Sequence, residues 1–262
     1  MKRIDFENGT VTRNIFSAAI PMLVAQILSL LYNIVDRIYI ARIPEVGTTA
    51  LGAVGLCFPL IVIITAFANL FGSGGAPVFS INRGMKDNQK AQEVMNTSFT
   101  MVCGSGIILM IAGMLFARPL LVLFGASEDA LGYAYPYMMI YLIGTVPSMI
   151  ATGMNPFINA QGYATTGMLS VAIGAVANLI LDPLFIFVLG FGIKGAAIAT
   201  VLSQFLSAAY VLLFLEKRAE MKARLLKKTE PYSTNLSILS NLISSVPKFY
   251  HFFHGLTFVF AP

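Results

Sequence analysis

The sequence predicts an all-α integral membrane protein, a bundle of six transmembrane helices. Three observations predict it. Hydrophobic residues make up 57% of the 262-residue chain and charged ones only 11%, for a mean hydropathy of +0.78, which no ordinary soluble domain matches. The apolar residues gather into six runs, each close to or above the roughly 20 residues that a helix needs to cross a bilayer. Of the 17 basic and 12 acidic side chains, only Asp36, Arg37 and Asp182 fall inside those runs. The net charge of +5 is spread over ends and connections, so it does not form the basic stripe of a nucleic-acid binder. Cys57 and Cys103 lie within apolar runs and read as small core hydrophobes, not as a disulfide framework.

The first span covers about 14–41 and follows a short N-terminal segment, residues 1–13. It is too long for a cleavable signal peptide, and Asp36-Arg37 stands where a small-residue cleavage site would be needed. The second span, about 50–80, is long enough to hold a bend, and its centre, Asn69 to Pro77, supplies three glycines and a proline. No Gly-Lys-Ser/Thr follows those glycines, so a phosphate loop is excluded. The third, fourth, fifth and sixth spans cover about 94–117, 131–154, 166–190 and 195–215. Asn155 to Gly162 reads as a polar, turn-forming connection. Together the spans make a membrane lobe over 14–215, followed by a basic linker, 216–228, and an atypical tail, 229–262.

Lys and Arg counts orient the bundle, because cytoplasmic loops carry the excess. Six spans put both ends on one side, with twelve basic residues there (Lys2, Arg3, Arg13, Arg83, Lys86, Lys90 and six from Lys217 to Lys228) against Arg42, Arg118 and Lys194 opposite. Both termini are therefore expected in the cytoplasm, in a multi-pass plasma (inner) membrane protein. The segment Glu216–Lys228 is expected to be a helix or linker near anionic headgroups. Trp is absent, so an interfacial aromatic belt has to come from Tyr, for example Tyr39, Tyr133, Tyr135 and Tyr210.

A carboxylate inside a span costs about 2.5–3.5 kcal/mol on insertion scales and is kept where it faces a cavity or a partner. In the first span Gln26, Ser29, Asn33 and Asp36 follow i, i+3, i+7, i+10, an arc of roughly 80° on one helix face. They either line a cavity or bond to neighbouring helices. Tyr32, one turn before Asp36, either bonds it or lines the same cavity. Arg37 points about 100° further round and either neutralises a nearby acid or, the favoured reading because the span ends within a few residues, snorkels towards the outer headgroups. In the fifth span Asn178 and Asp182 stack at i, i+4, and Pro183 cannot donate to the carbonyl of Leu179. An amide, a carboxylate and a freed carbonyl are oxygen ligands for a hard monovalent cation, and a desolvated carboxylate equally suits a proton. In the sixth span Gly195, Ala199, Ser203 and Ser207 make a small-residue ridge that admits a close neighbour and brings the Thr200 hydroxyl into a buried site. The tail's His251 and His254 lack a third ligand, so no metal site is expected there. No catalytic constellation is present in the sequence, and no cofactor is implied.

Pro21 and Asp36 fifteen apart, Asn178-x-x-x-Asp182-Pro183, the Gly192 to Thr200 run and the Asn155 to Gly162 connection together resemble the N-terminal lobe of the multidrug and toxic compound extrusion (MATE) family, over about residues 12–228. The resemblance implies one lobe of a twelve-helix transporter that exchanges organic cations or amphipathic drugs for inward H+ or Na+. It implies a cation site made of Asp36, Asn178, Asp182 and Thr200, with Pro21 letting the first helix bend and Na+ as the metal ion the site would take. A full family member continues into six more spans. Here 34 residues follow Lys228, without a twenty-residue apolar run, so a truncated or frameshifted product is expected, one that transports only with a second lobe or as a homodimer. Two alternatives stay open: a lipid-linked precursor flippase of the same superfamily, which would need more cavity Arg and Lys than Arg37 alone, and a non-transporting membrane fragment.

Overall fold

In the computed structural model the described residues are Ile4 and residues 10–225. The tail over 229–262 with its His251/His254 pair, and the last residues of the basic linker, lie outside them. Seven α-helices follow in order: α1 (Val11–Ala41), α2 (Gly47–Gly84), α3 (Asn88–Leu123), α4 (Glu128–Ile143), α5 (Thr145–Ala160), α6 (Ala164–Pro183), which runs on into a π-helical turn (Leu184–Val188), and α7 (Gly192–Lys217). Five of these elements are long and apolar enough to cross a membrane, and α4 with α5 makes a sixth span bent by 56° at Gly144. The six-span lobe is therefore present.

Local chemistry sets the boundaries. Asp87 opens α3 by accepting the Lys90 N–H (3.1 Å), a bond that also holds its carboxyl below the usual carboxylate range. Ser127 caps α4 by accepting the Ala130 N–H (3.3 Å), with Glu128 and Asp129 in the favourable first turn. Gly125 (φ +93°) and Gly162 (φ +89°) adopt the left-handed conformation that closes α3 and α5, letting the N–H groups of Ala126 and Tyr163 reach back to Leu121 and Ile158.

The bundle centres on α5, which touches α2, α3, α6 and α7, while α1 lies at the edge, mainly against α6. Phe79, Met95, Leu142, Met149, Phe157 and Ile158 form the buried centre. The outer faces are apolar instead of charged, as at Ile108, Leu115 and Val188, the pattern of a surface that meets lipid.

The glycines of α2, which runs through them as one uninterrupted helix, serve close packing, and two expectations change. A Cβ at Gly72 would run into the Gly153 backbone, with Gly153 Cα at 2.8 Å, and one at Gly75 would collide with Ser98 and Phe157. The break falls in the fourth span at Gly144, where a Cβ would collide with the Gln204 side chain and meet Val201 at 3.0 Å. Finally, Asn155 to Ala160 is helical, and only Gln161–Tyr163 turns, so Pro156 is tolerated inside α5.

Gly72→Ala is expected to destabilise the lobe by about 1–3 kcal/mol through overpacking against backbone that cannot yield. Gly104→Ala, which has nothing within 4 Å of its added Cβ, is expected to be neutral or slightly stabilising through helix propensity. Thermal unfolding of the two variants in detergent checks the pair. Equal melting temperatures would remove the close α2–α5 contact from the account of stability.

Candidate functional site

Two helices that meet along their lengths, α1 and α6, bring the sequence-predicted carboxylates together. Asp182 is fully buried on α6 and Asn178 nearly so. The Asn178 amide donates to Asp182 Oδ1 (3.0 Å) and reaches Thr200 Oγ1 at 3.5 Å. Asp36, half-buried on α1, has its carboxyl within hydrogen-bonding reach of that of Asp182. Asp36 Oδ1 and Asp182 Oδ2 are both buried without a donor among the described residues. Two carboxyls in hydrogen-bonding reach of each other are stable together when they share a proton or a cation. Asp36, Asn178, Asp182 and Thr200 therefore form one cluster.

The sixth span reaches the cluster because its ridge is small. A Cβ at Gly195 would lie 2.6 Å from the Phe185 carbonyl in the π-helical turn, and Ser207 donates to the Ser170 carbonyl of α6 (2.8 Å). Thr200 turns its hydroxyl proton to Ala196 O (2.9 Å), so its oxygen lone pairs remain for Asn178 or an ion. Pro183 stands where α6 passes from α-helical to π-helical bonding, and the turn closes with Leu189 N–H to Leu184 O (2.9 Å). Wider turns of this kind are often found at functional sites.

The polar stripe of α1 splits. Ser29, Tyr32 and Asp36 are half-buried, on the side that carries Pro21, whereas Gln26 and Asn33 are exposed. At 100° per residue Asp36 lies about 80° from Gln26, so the stripe straddles the rim of the α1–α6 contact. Asn33 donates to the Ser29 carbonyl of its own helix (2.6 Å). The Tyr32 hydroxyl is in reach of Ser29 and Asn33. Arg37 is exposed, its guanidinium 5.7 Å from the Phe58 ring centroid of α2, and its charge acts on Asp36.

Sequence reasoning missed three residues. Tyr137 and Tyr141 on α4 are buried, with stacked rings whose centroids are 6.2 Å apart. Tyr137 lies within electrostatic range of both Asp36 and Asp182, and Tyr141 within that of Tyr32 and Asp36. Gln204, one turn beyond Thr200, is in hydrogen-bonding reach of Tyr141. The available signal was the i, i+4 spacing of the two tyrosines and of Thr200 with Gln204. No group of three His, Cys, Asp or Glu side chains that could hold a metal occurs among the described residues.

A family model described as MatE matches residues 21–184. The multidrug export protein MepA of Staphylococcus haemolyticus is 25% identical over 226 residues, 86% of this chain and 50% of that protein. MepA of Staphylococcus aureus is 24% identical over 232 residues, 88% of this chain and 51% of that one. Among solved structures, a MATE protein in its bent conformation superposes with a TM-score of 0.81 at 29% identity, over 90% of this chain and 53% of that one. The outward-facing conformation of a multidrug resistance MATE family transporter of the MOP superfamily superposes at 0.83 and 26%, over 93% and 53%. The chain thus spans about half the length of the curated relatives it matches.

Asn178→Ala removes a donor from a buried carboxylate and is expected to cost about 1–3 kcal/mol of stability. Thr200→Ala, whose hydroxyl proton is spent on its own helix, is expected to cost less. Melting curves in detergent rank the two. A variant at Asn178 as stable as the wild type would show that the Asp182 carboxylate is held by something else.

Proposed function

The chain belongs to the MatE family of multi-pass membrane transporters, and from that premise we propose that it is the cation-coupling lobe of a drug efflux antiporter. One observation carries the reading: Asp36 and Asp182 share a buried site without a donor between them, beside the amide of Asn178 and the hydroxyl of Thr200. An inward-moving H+ or Na+ would remove charge from the site and favour closer approach of α1 to α6. Its departure would restore repulsion along that contact, so ion occupancy biases the position of α1. Pro21, in the half of α1 away from Asp36, gives the helix a point at which to yield.

The names of the relatives, multidrug export proteins, support drugs as cargo, and organic cations or amphipathic compounds are the drug class that we propose. Gln26 and Asn33, exposed on α1, supply neutral hydrogen-bonding groups for a cavity wall. Alternating access needs a second bundle to move against the first, supplied by a second transporter lobe or by a copy of this chain. The twelve-to-three distribution of Lys and Arg supports cytoplasmic termini in a plasma membrane.

In a two-lobe protein carrying this lobe, Asp36→Asn and Asp182→Asn are each expected to abolish ion-driven drug efflux while leaving membrane insertion unchanged. Asn keeps the volume of Asp but neither exchanges a proton nor balances a cation. Asn178→Ala and Thr200→Ala are expected to weaken coupling less. Dye efflux under an imposed ion gradient checks this, and wild-type efflux in both Asp variants would reduce the pair to a structural contact. A reporter fused after Lys228 is expected to behave as cytoplasmic, and an extracytoplasmic signal would reverse the orientation.

A further inference from the structure

At the opposite end of α6 from the carboxylates, three consecutive residues each receive a different segment of the chain. Ala160 O accepts from Arg83 Nη1 of α2 (3.3 Å). Gly162 O accepts from the backbone N–H of Ile4 (3.0 Å). Between them Gln161, fully buried, accepts the Met221 N–H through Oε1 (3.0 Å) and donates through Nε2 to the Met221 carbonyl (3.4 Å). A side-chain amide carries the same donor and acceptor as a peptide unit, so Gln161 pairs with Met221 as a neighbouring strand would.

The segment that it holds is Arg218–Leu225, beyond α7. Sequence reasoning allowed a helix here, but the chain is non-helical. It buries Ala219 and Met221, and Glu220 pairs with Arg83 (2.8 Å). Lys222 O accepts from Gln92 of α3, and the Arg224 N–H donates to Asn96 Oδ1 (2.9 Å). Its basic side chains, Arg218, Lys222 and Arg224, are exposed while its backbone is bonded inward.

We propose that Arg218–Leu225 is a strap belonging to the folded lobe and that Gln161 is its latch. The latch ties the strap to the α5–α6 corner, whose neighbouring carbonyls hold the end of α2 and Ile4. Chain continuing past Leu225 therefore starts beside α3, where Asn96 holds it, and not from the free end of α7. Motion of a following segment acts on α3 and α5 directly. This goes beyond the transport reading and does not depend on it.

Amide hydrogen exchange on the full 262-residue chain in lipid nanodiscs tests the latch without any transport assay. The Met221 amide is expected to exchange at least about a hundredfold more slowly than in a free peptide of residues 216–225, as a closed hydrogen-bonded unit does. Gln161→Leu is expected to remove most of that protection while amides in the middle of α3 and α5 stay protected. Asn96→Ala is expected to expose the Arg224 amide and to leave Met221 closed, and it decides the matter if the Gln161 variant fails to fold. Free-peptide exchange at Met221 in the wild type, or exchange at Arg224 unaltered by Asn96→Ala, would overturn the strap. Undiminished Met221 protection in a folded Gln161→Leu chain would overturn the latch.

Discussion

Everything near the far end of α1 and α6 is arranged around the cost of two carboxyls at membrane depth. One such group alone costs about 2.5–3.5 kcal/mol on insertion scales, and two in contact repel when both are charged. The lobe meets this cost with neutral polar groups: Asn178 on the same helix as Asp182, and Thr200 on α7. Bringing Thr200 in requires α7 to approach the π-helical turn at backbone distance, which only Gly195 permits. The small-residue ridge, the π turn after Pro183 and the position of α7 are thus consequences of one electrostatic requirement.

The same requirement falls unequally on the helices. Asp182 is on a helix packed on several sides, whereas Asp36 is on α1, whose main neighbour is α6 and whose fully buried residue is Ile40. Of the two helices that carry the pair, α1 is therefore the less firmly attached. The buried α4 tyrosines lie within electrostatic range of the pair, and the 56° bend at Gly144 turns α4 away from the line of α5.

Much of this was legible in the sequence, because membrane depth makes polarity informative. Six apolar runs gave six spans, and the scarcity of intramembrane charge singled out Asp36 and Asp182. The i, i+4 rule placed Asn178 beside Asp182. Helix breaks were not legible. The glycines of α2 give backbone contact with Gly153 and room for Ser98 and Phe157, while the break between α4 and α5 has a single glycine. Glycine content reports either flexibility or close approach, and only the neighbouring helix tells which. The α1 stripe was read as one face, but a face 80° wide can straddle a rim, and Gln26 and Asn33 fell on the open side. Tyr137 and Tyr141 were hidden because tyrosine in a span equally suits a membrane interface, and Gln204, which is in reach of Tyr141, is on another helix.

The two ends of α6 differ in how they are held. At 1.5 Å per residue the twenty residues from Ala164 to Pro183 span roughly 30 Å. One end adjoins the corner where Ala160, Gln161 and Gly162 bind α2, the strap and the N-terminal segment. The other carries Asp182 against a helix attached mainly through α6 itself. Between them Ser207 and Ser170 tie α6 to α7, and Asn155 of α5 donates to Gly167 O and Ser170 Oγ, each at 2.9 Å. The carboxyl-bearing end is held as well, by Asn178 reaching Thr200 and by Gly195 against the π-helical turn. The lobe thus fixes α6 along its whole length, and α1, which rests mainly on α6, is the less firmly attached member of the pair.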